Sequence, residues 1–168
     1  GIERLDDNRV TPAPIRDFAS PSRHPIATYP TVPLVSAERL GVWLHGEDCH
    51  LESSPLRDIA PDALAAFSVT ANGDAPNAAA RKNLREVILT DGVARAGKWY
   101  GLTGRVYDTE DLAKSVAQWA ERERLRQVVT MAPFVGPLGD ALPGVREALR
   151  AHGVSLTLLR RPWDQTVL

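Results

Sequence analysis

Gln127-Val128-Val129-Thr130-Met131-Ala132, then the corner Pro133-Phe134-Val135-Gly136-Pro137, then Leu138 to His152 closed by Gly153, then Val154-Ser155-Leu156-Thr157-Leu158-Leu159: this stretch decides the fold. Two short apolar runs flank an amphipathic segment. The runs are too far apart to form a hairpin, so they predict parallel strands joined by a right-handed helical crossover. Pro137 suits a first helical turn, and Pro143-Gly144 predicts a kink or restart within the helix. Working outward, the same alternation continues upstream.

Arg39 to His45 is apolar, short and bounded by turn formers, as a buried parallel strand should be. Residues 51 to 61 read as irregular. Asp62 to Ala66 reads as a helical turn, and Ala66 to Ala71 as a second strand ended by the Asn72-Gly73-Asp74 turn. Asn77 to Ala96 has helical spacing, with Ala80, Leu84, Val87, Ile88 and Val93 on its apolar positions and Gly97 as its stop. Arg105-Val106-Tyr107 is a weak strand. A second helix runs through Arg124, with Thr109 as N-cap and Leu112, Val116, Trp119 and Ala120 as its stripe. Trp43 and Trp119 fall in the core; Trp99 and Trp163 are not placed by the pattern. The order predicts a three-layer, Rossmann-like α/β fold around a mostly parallel five-stranded sheet.

Composition bounds the rest. The chain has 168 residues, 43% hydrophobic and 24% charged, enough for one domain with a core. Twenty basic and 21 acidic side chains balance, so no basic excess points to nucleic acid. No apolar run reaches membrane length, and no signal core opens the chain. The lone Cys49 excludes an internal disulfide and fits a reducing cytoplasm. Residues 1–37 hold Pro12, Pro14, Pro21, Pro25, Pro30 and Pro33 and read as a linker or extended arm, with residues 38–168 as the domain.

In such sheets ligands sit outside the C-terminal ends of the strands, which singles out loops 45–50, 71–76 and 132–140. The first carries His45, Glu47, Asp48, Cys49 and His50. Their spacing is too tight for all to face one metal ion, and a solvated turn is the plainer reading. Cys49 as a nucleophile would need a partner that lowers its pKa. The Ala132–Pro137 corner could offer backbone amides to an anion at a helix start, although a tight strand-to-helix corner is the plainer reading. No P-loop, G-x-G-x-x-G, G-x-S-x-G, H-E-x-x-H or C-x-x-C occurs. Arg160-Arg161 could contact phosphate, but a solvated strand end is the plainer reading. If the domain holds a ligand, His45, Glu47, Asp48, Pro133, Val135, Gly136 and Asp140 are the candidates; no residue stands out as catalytic or metal-ligating.

Several of these segments resemble the α/β domain of the DNA photolyase/cryptochrome family. The matching residues are Arg126-Gln127-Val128-Val129-Thr130, Ala132-Pro133, Val135-Gly136-Pro137, Asp140-Ala141-Leu142 and Arg160-Arg161-Pro162-Trp163-Asp164. Trp43-Leu44-His45 followed by Glu47-Asp48-Cys49 matches as well. The resemblance spans about residues 38–168 and is thin between 51 and 125. It is nearest to a bacterial photolyase-related group in which this module follows the FAD-binding helical domain. It implies an accessory, non-catalytic module of a flavoprotein. FAD would be held by a separate helical partner domain, and DNA would be met only through that domain. A folate or deazaflavin antenna is a further implied ligand, and both chain ends then fit a fragment. The parent would be a DNA photolyase or a photoreceptor. Two other readings stay open: a stand-alone small-molecule or nucleotide-binding domain with its site at the strand ends, and an enzyme using Cys49, His45 or His50.

Overall fold

A computed structural model describes residues 39–69, 78–134 and 136–161. The proposed arm at 1–37, the loop at 71–76, Val135 and Trp163 lie outside the described residues.

Five strands form one parallel sheet: β1 (Leu40–Leu44), β2 (Ala63–Val69), β3 (Arg105–Thr109), β4 (Gln127–Met131) and β5 (Ser155–Leu159). Their spatial order is β3-β2-β1-β4-β5. The registers place Gly41 opposite both Ala63 and Val128, and Val128 opposite Leu156. Three helices make three of the four connections, α1 (Ala78–Tyr100), α2 (Leu112–Arg122) and α3 (Pro137–Ala151), and two 3-10 turns lie between β1 and β2. The doubly wound, Rossmann-like α/β architecture is therefore as the alternation predicts, with every strand pair parallel.

Both faces of the sheet are covered, as a parallel sheet requires. On one face Trp43, Phe67, Val128, Leu156 and Leu158 pack against Val116 and Trp119 of α2 and Leu142, Val145 and Leu149 of α3. On the other, Val42, Leu44, Leu64, Val129 and Met131 meet Leu89, Val93 and Ala96 of α1. Leu51 and Leu56, from two short 3-10 turns (Leu51–Ser53 and Pro55–Asp58), complete that layer. Trp43 and Trp119 are core residues. Trp99 is exposed, with the Arg57 guanidinium 5.0 Å over its ring.

Several local expectations change. Residues 62–66 are not a helical turn: Ala63 already pairs with Gly41, and β2 runs from there to Val69. Alanine favours helix, but a slot bonded on both sides overrides that preference. The expected irregular stretch 51–61 contains the two 3-10 turns. The weak strand is a full edge strand, Arg105–Thr109. Asp111, not Thr109, caps α2, its Oδ1 accepting from Lys114 N at 3.0 Å. Thr109 ends β3 and accepts from Asp111 N. Pro143 does not restart α3, which runs unbroken from Pro137 to Ala151. Gly153, with φ 69°, closes it as expected.

The largest change concerns α1. It continues past Gly97 to Tyr100, and its sheet-facing row is Leu89, Val93 and Ala96. Of the predicted apolar positions only Val93 is buried; Leu84, Val87 and Ile88 are 62%, 65% and 40% exposed. At 1.5 Å per residue the helix is about 34 Å long, against about 23 Å for a seven-residue strand. Its first turns therefore stand clear of the sheet, and no residue from 79 to 88 is buried.

Gly41 sits where the sheet and α2 approach most closely. A Cβ there would strike Leu125 Cδ1 and lie 2.7 Å from the Trp119 ring. Both neighbours are core residues and cannot swing aside. Gly41→Ala is expected to lower unfolding free energy by about 1–3 kcal/mol, the usual cost of overpacking. Urea denaturation checks this: the midpoint should fall at unchanged slope.

Candidate functional site at the switch point

Successive strands run from β1 outward through β2 to β3, then return to β4 and continue to β5. The direction reverses between β1 and β4, so the crevice beyond their C-terminal ends is where such a fold receives ligands. The structure brings His45, Glu47, Asp48, Pro133 and Gly136 to this edge. Asp140 sits in the first turn of α3, where its charge suits the helix dipole; it is exposed.

His45 follows β1 directly and is 3% exposed. Its Nε2 lies 2.9 Å from the carbonyl oxygen of Met131, at the end of β4. A carbonyl only accepts, so Nε2 carries the proton and donates. The His45 carbonyl accepts from Asp48 N and from the Cys49 thiol, both at 3.0 Å, which folds residues 45–49 into a tight turn. Burial lowers the His45 pKa, outweighing the Met131 bond and the nearby Glu47 and Asp48 carboxylates.

Glu47 and Asp48 each reach a different neighbour. Glu47 Oε2 accepts from Phe134 N at 2.9 Å, so a corner amide that an anion would seek already meets a carboxylate of the chain. Asp48 forms a bidentate pair with Arg161, at 2.6 Å to Nη2 and 2.5 Å to Nη1. Their side chains are 8% and 14% exposed, so Arg161 is no solvated strand end. Arg161 Nε also donates to Ser53 O at 3.1 Å. Ser54 Oγ caps Leu56 N and donates to Met131 Sδ at 3.1 Å. The corner itself turns at Gly136, the N-cap of α3 with φ 151°, and Pro137 occupies the first helical position as expected.

Cys49 packs against Gly92 of α1, where a Cβ would lie 2.8 Å from the Cys49 Cβ. Burial, followed by the Asp48 charge, pushes its thiol pKa up to about 11. A nucleophile needs the opposite shift. His50 is exposed, with Nδ1 2.9 Å from Ser53 Oγ. Among the described residues no group of three His, Cys, Asp or Glu side chains is placed to hold a metal. Three polar atoms near the edge are buried without a hydrogen-bond partner: Trp43 Nε1, His45 Nδ1 and Thr130 Oγ1. Two shallow depressions lie elsewhere. One borders Thr90, Lys98 and Thr103; the other lies at the strand N-termini, near Asp62, Arg105 and Arg122.

Sequence reasoning missed Arg161, Ser54 and Met131 as partners of the first loop. A signal existed for Arg161. It follows β5, one strand beyond β4, so its Cα stands roughly 10 Å from the end of β1. An arginine can span that gap, and Asp48 is the acidic residue waiting there.

Fold and site thus define a doubly wound α/β domain whose switch point is crossed by its own side chains. Neither a scan against protein-family models nor a search of the curated proteins found a match.

Three outcomes are expected. Arg161→Met leaves a mostly buried Asp48 carboxylate unpaired and should cost about 3 kcal/mol or more; a double-mutant cycle with Asp48→Asn should return a coupling above about 1 kcal/mol. Alkylation of Cys49 by iodoacetamide at pH 8 should run about a hundredfold slower than in the unfolded chain, because a two-unit rise removes most thiolate. The third concerns pH. A folded His45 pKa below its unfolded 6.5 gives full stability above pH 6.5, lost as pH falls toward the folded value. The lowered carboxylates Glu52 and Glu147 act only below 4.5. Stability should therefore begin to fall as pH drops below 6.5, before those carboxylates contribute, and His45→Gln should flatten that slope in pH-dependent denaturation.

Proposed function

We propose that this chain is the accessory α/β domain of a photolyase-related flavoprotein, packing on an FAD-binding helical domain and supplying no catalytic group. The observation that carries the reading is the use made of the switch-point residues. His45, Glu47 and Asp48 bind Met131 O, Phe134 N and Arg161, which join β1 to β4 and to the end of β5. Cys49 is held as a thiol. Such an edge serves as a rigid mating surface rather than a reaction centre. Phe134, 64% exposed on its rim, is the side chain that would anchor a neighbour. The likeness of residues 126–164 to photolyase α/β domains supplies the identity of that neighbour. FAD, DNA contact and any lyase or photoreceptor chemistry then belong to the partner domain, in a cytoplasmic protein. Among the described residues no helix is long and apolar enough to cross a membrane. The same closure favours packing over an antenna chromophore.

A second reading is favoured by Trp43 Nε1, His45 Nδ1 and Thr130 Oγ1, unpaired polar atoms beside the switch point. Under it the edge opens to a small polar ligand or nucleotide.

Mixing the purified chain with the FAD-binding helical domain of the same polypeptide tests the proposal. Co-elution is expected, with Phe134→Glu weakening association about tenfold or more, and with the isolated chain colourless above roughly 350 nm, where flavins and reduced folates absorb. Failure to associate would sink the packing role, and a chromophore on the isolated chain would transfer the assignment to ligand binding.

A further inference from the structure

The depression at the strand N-termini holds about 320 Å³, at the small end of the range for ligand pockets. It lies at the opposite end of the sheet from the His45 edge, between the starts of β2 and β3 and the last turn of α2. Four charged side chains line it, Arg105, Arg122, Asp62 and Glu123. Opposite charges crowded into so small a space ordinarily pair off. Here the one ion pair among the four is Arg122 Nε to Glu123 Oε1, at 3.4 Å between chain neighbours. Among the described residues the Arg105 side chain has no hydrogen-bond or ion-pair partner.

The groups around Arg105 are held in place. Arg122 lies over the Tyr107 ring, 5.1 Å from its centroid, and its Nη2 donates to the Tyr107 hydroxyl at 2.6 Å. Tyr107 is itself stacked on Phe67, with centroids 5.4 Å apart. A hydroxyl that accepts from Arg122 keeps its own hydrogen to donate elsewhere. Asp62 Oδ2 accepts from Leu40 N at 2.7 Å, which fixes the carboxylate and leaves Oδ1. Glu123 ends α2, where the helix carbonyls add partial negative charge. The depression thus has a donor half, made by Arg105, Arg122 and Tyr107, and an acceptor half, made by Asp62 and Glu123.

A ligand with negative charge alone would meet two carboxylates, and one with positive charge alone two guanidinium groups. A molecule carrying both satisfies both halves, its carboxylate on the Arg105 fork and its ammonium on Asp62 and Glu123. Leu64 and Trp119, which supply carbon to the wall, are almost fully buried, so there is room for little apolar contact. We propose that this depression binds a small zwitterion, an α-amino acid with a short side chain. The site is separate from the functional reading above and does not depend on it.

Amide shifts of the isotope-labelled, 168-residue chain test it. L-Alanine should shift the amides of Ala63, Arg105 and Glu123 saturably, with a Kd of about 1–10 mM, as expected of so small a ligand. Propanoate, which lacks the ammonium, and ethylamine, which lacks the carboxylate, should each bind about tenfold more weakly or worse, the worth of one charge-assisted contact. Arg105→Gln and Glu123→Gln should each weaken L-alanine binding by a similar factor of about ten while leaving the amide shifts of β4 and β5 in place. Absence of saturable shifts overturns the proposal. So does propanoate or ethylamine binding as tightly as L-alanine, which the unaltered chain alone decides, or L-alanine binding unchanged in Arg105→Gln.

Discussion

β1 is hydrogen-bonded along both edges and buried on both faces, and the rest of the molecule is arranged to satisfy that position. Leu40, Val42 and Leu44 look toward α1 and the 3-10 turns, while Trp43 looks toward α2 and α3. Its own five residues carry no polar side chain, and the first to appear is His45, directly after it. Parallel pairing forbids hairpins, so every neighbour of β1 arrives by a crossover. Right-handed crossovers to β2 and β3 fall on one face, and those to β4 and β5 on the other. The reversal between β1 and β4 follows from that handedness. It concentrates loop residues from both halves of the chain at one edge.

How much of this was readable depended on whether local pattern and tertiary setting agreed. They agree for β4, α3 and β5: apolar runs, a Gly-Pro corner and a closing glycine each state one conformation. They disagree at Asp62-Ala63-Leu64-Ala65-Ala66, whose composition favours helix while its slot between β1 and β3 demands strand. In α1 the apolar period was real, but periodicity does not say what covers a face. Leu84, Val87 and Ile88 repeat like core residues because they form a stripe, yet the sheet ends beneath them. Thr109 and Asp111 are both good caps, and only the end of β3 decides between them.

The site was half legible for a related reason. Which loops meet at the switch point follows from topology, and His45, Glu47, Asp48, Pro133 and Gly136 come from two of those loops. Their partners lie 86 or more positions away in the chain and leave no local mark. The Asp48–Arg161 pair shows the consequence. Two mostly buried charges joined by two short bonds are costly to separate but do little for net stability compared with apolar substitutes. Their effect is on geometry: they bring the end of β5 back over β1, across an intervening strand.

The polar groups at the edge are largely satisfied within the chain, through a carbonyl, an amide and a guanidinium. Among the described residues, the large apolar side chains left exposed are Phe134 on the rim, Leu84, Val87 and Ile88 along the first turns of α1, and Trp99 near its end. Here burial drives Cys49 and His45 toward their neutral forms, Cys49 to a thiol that does not attack and His45 to a fixed donor. Among the described residues, the carbon still uncovered thus lies on the rim of the edge and along one helix.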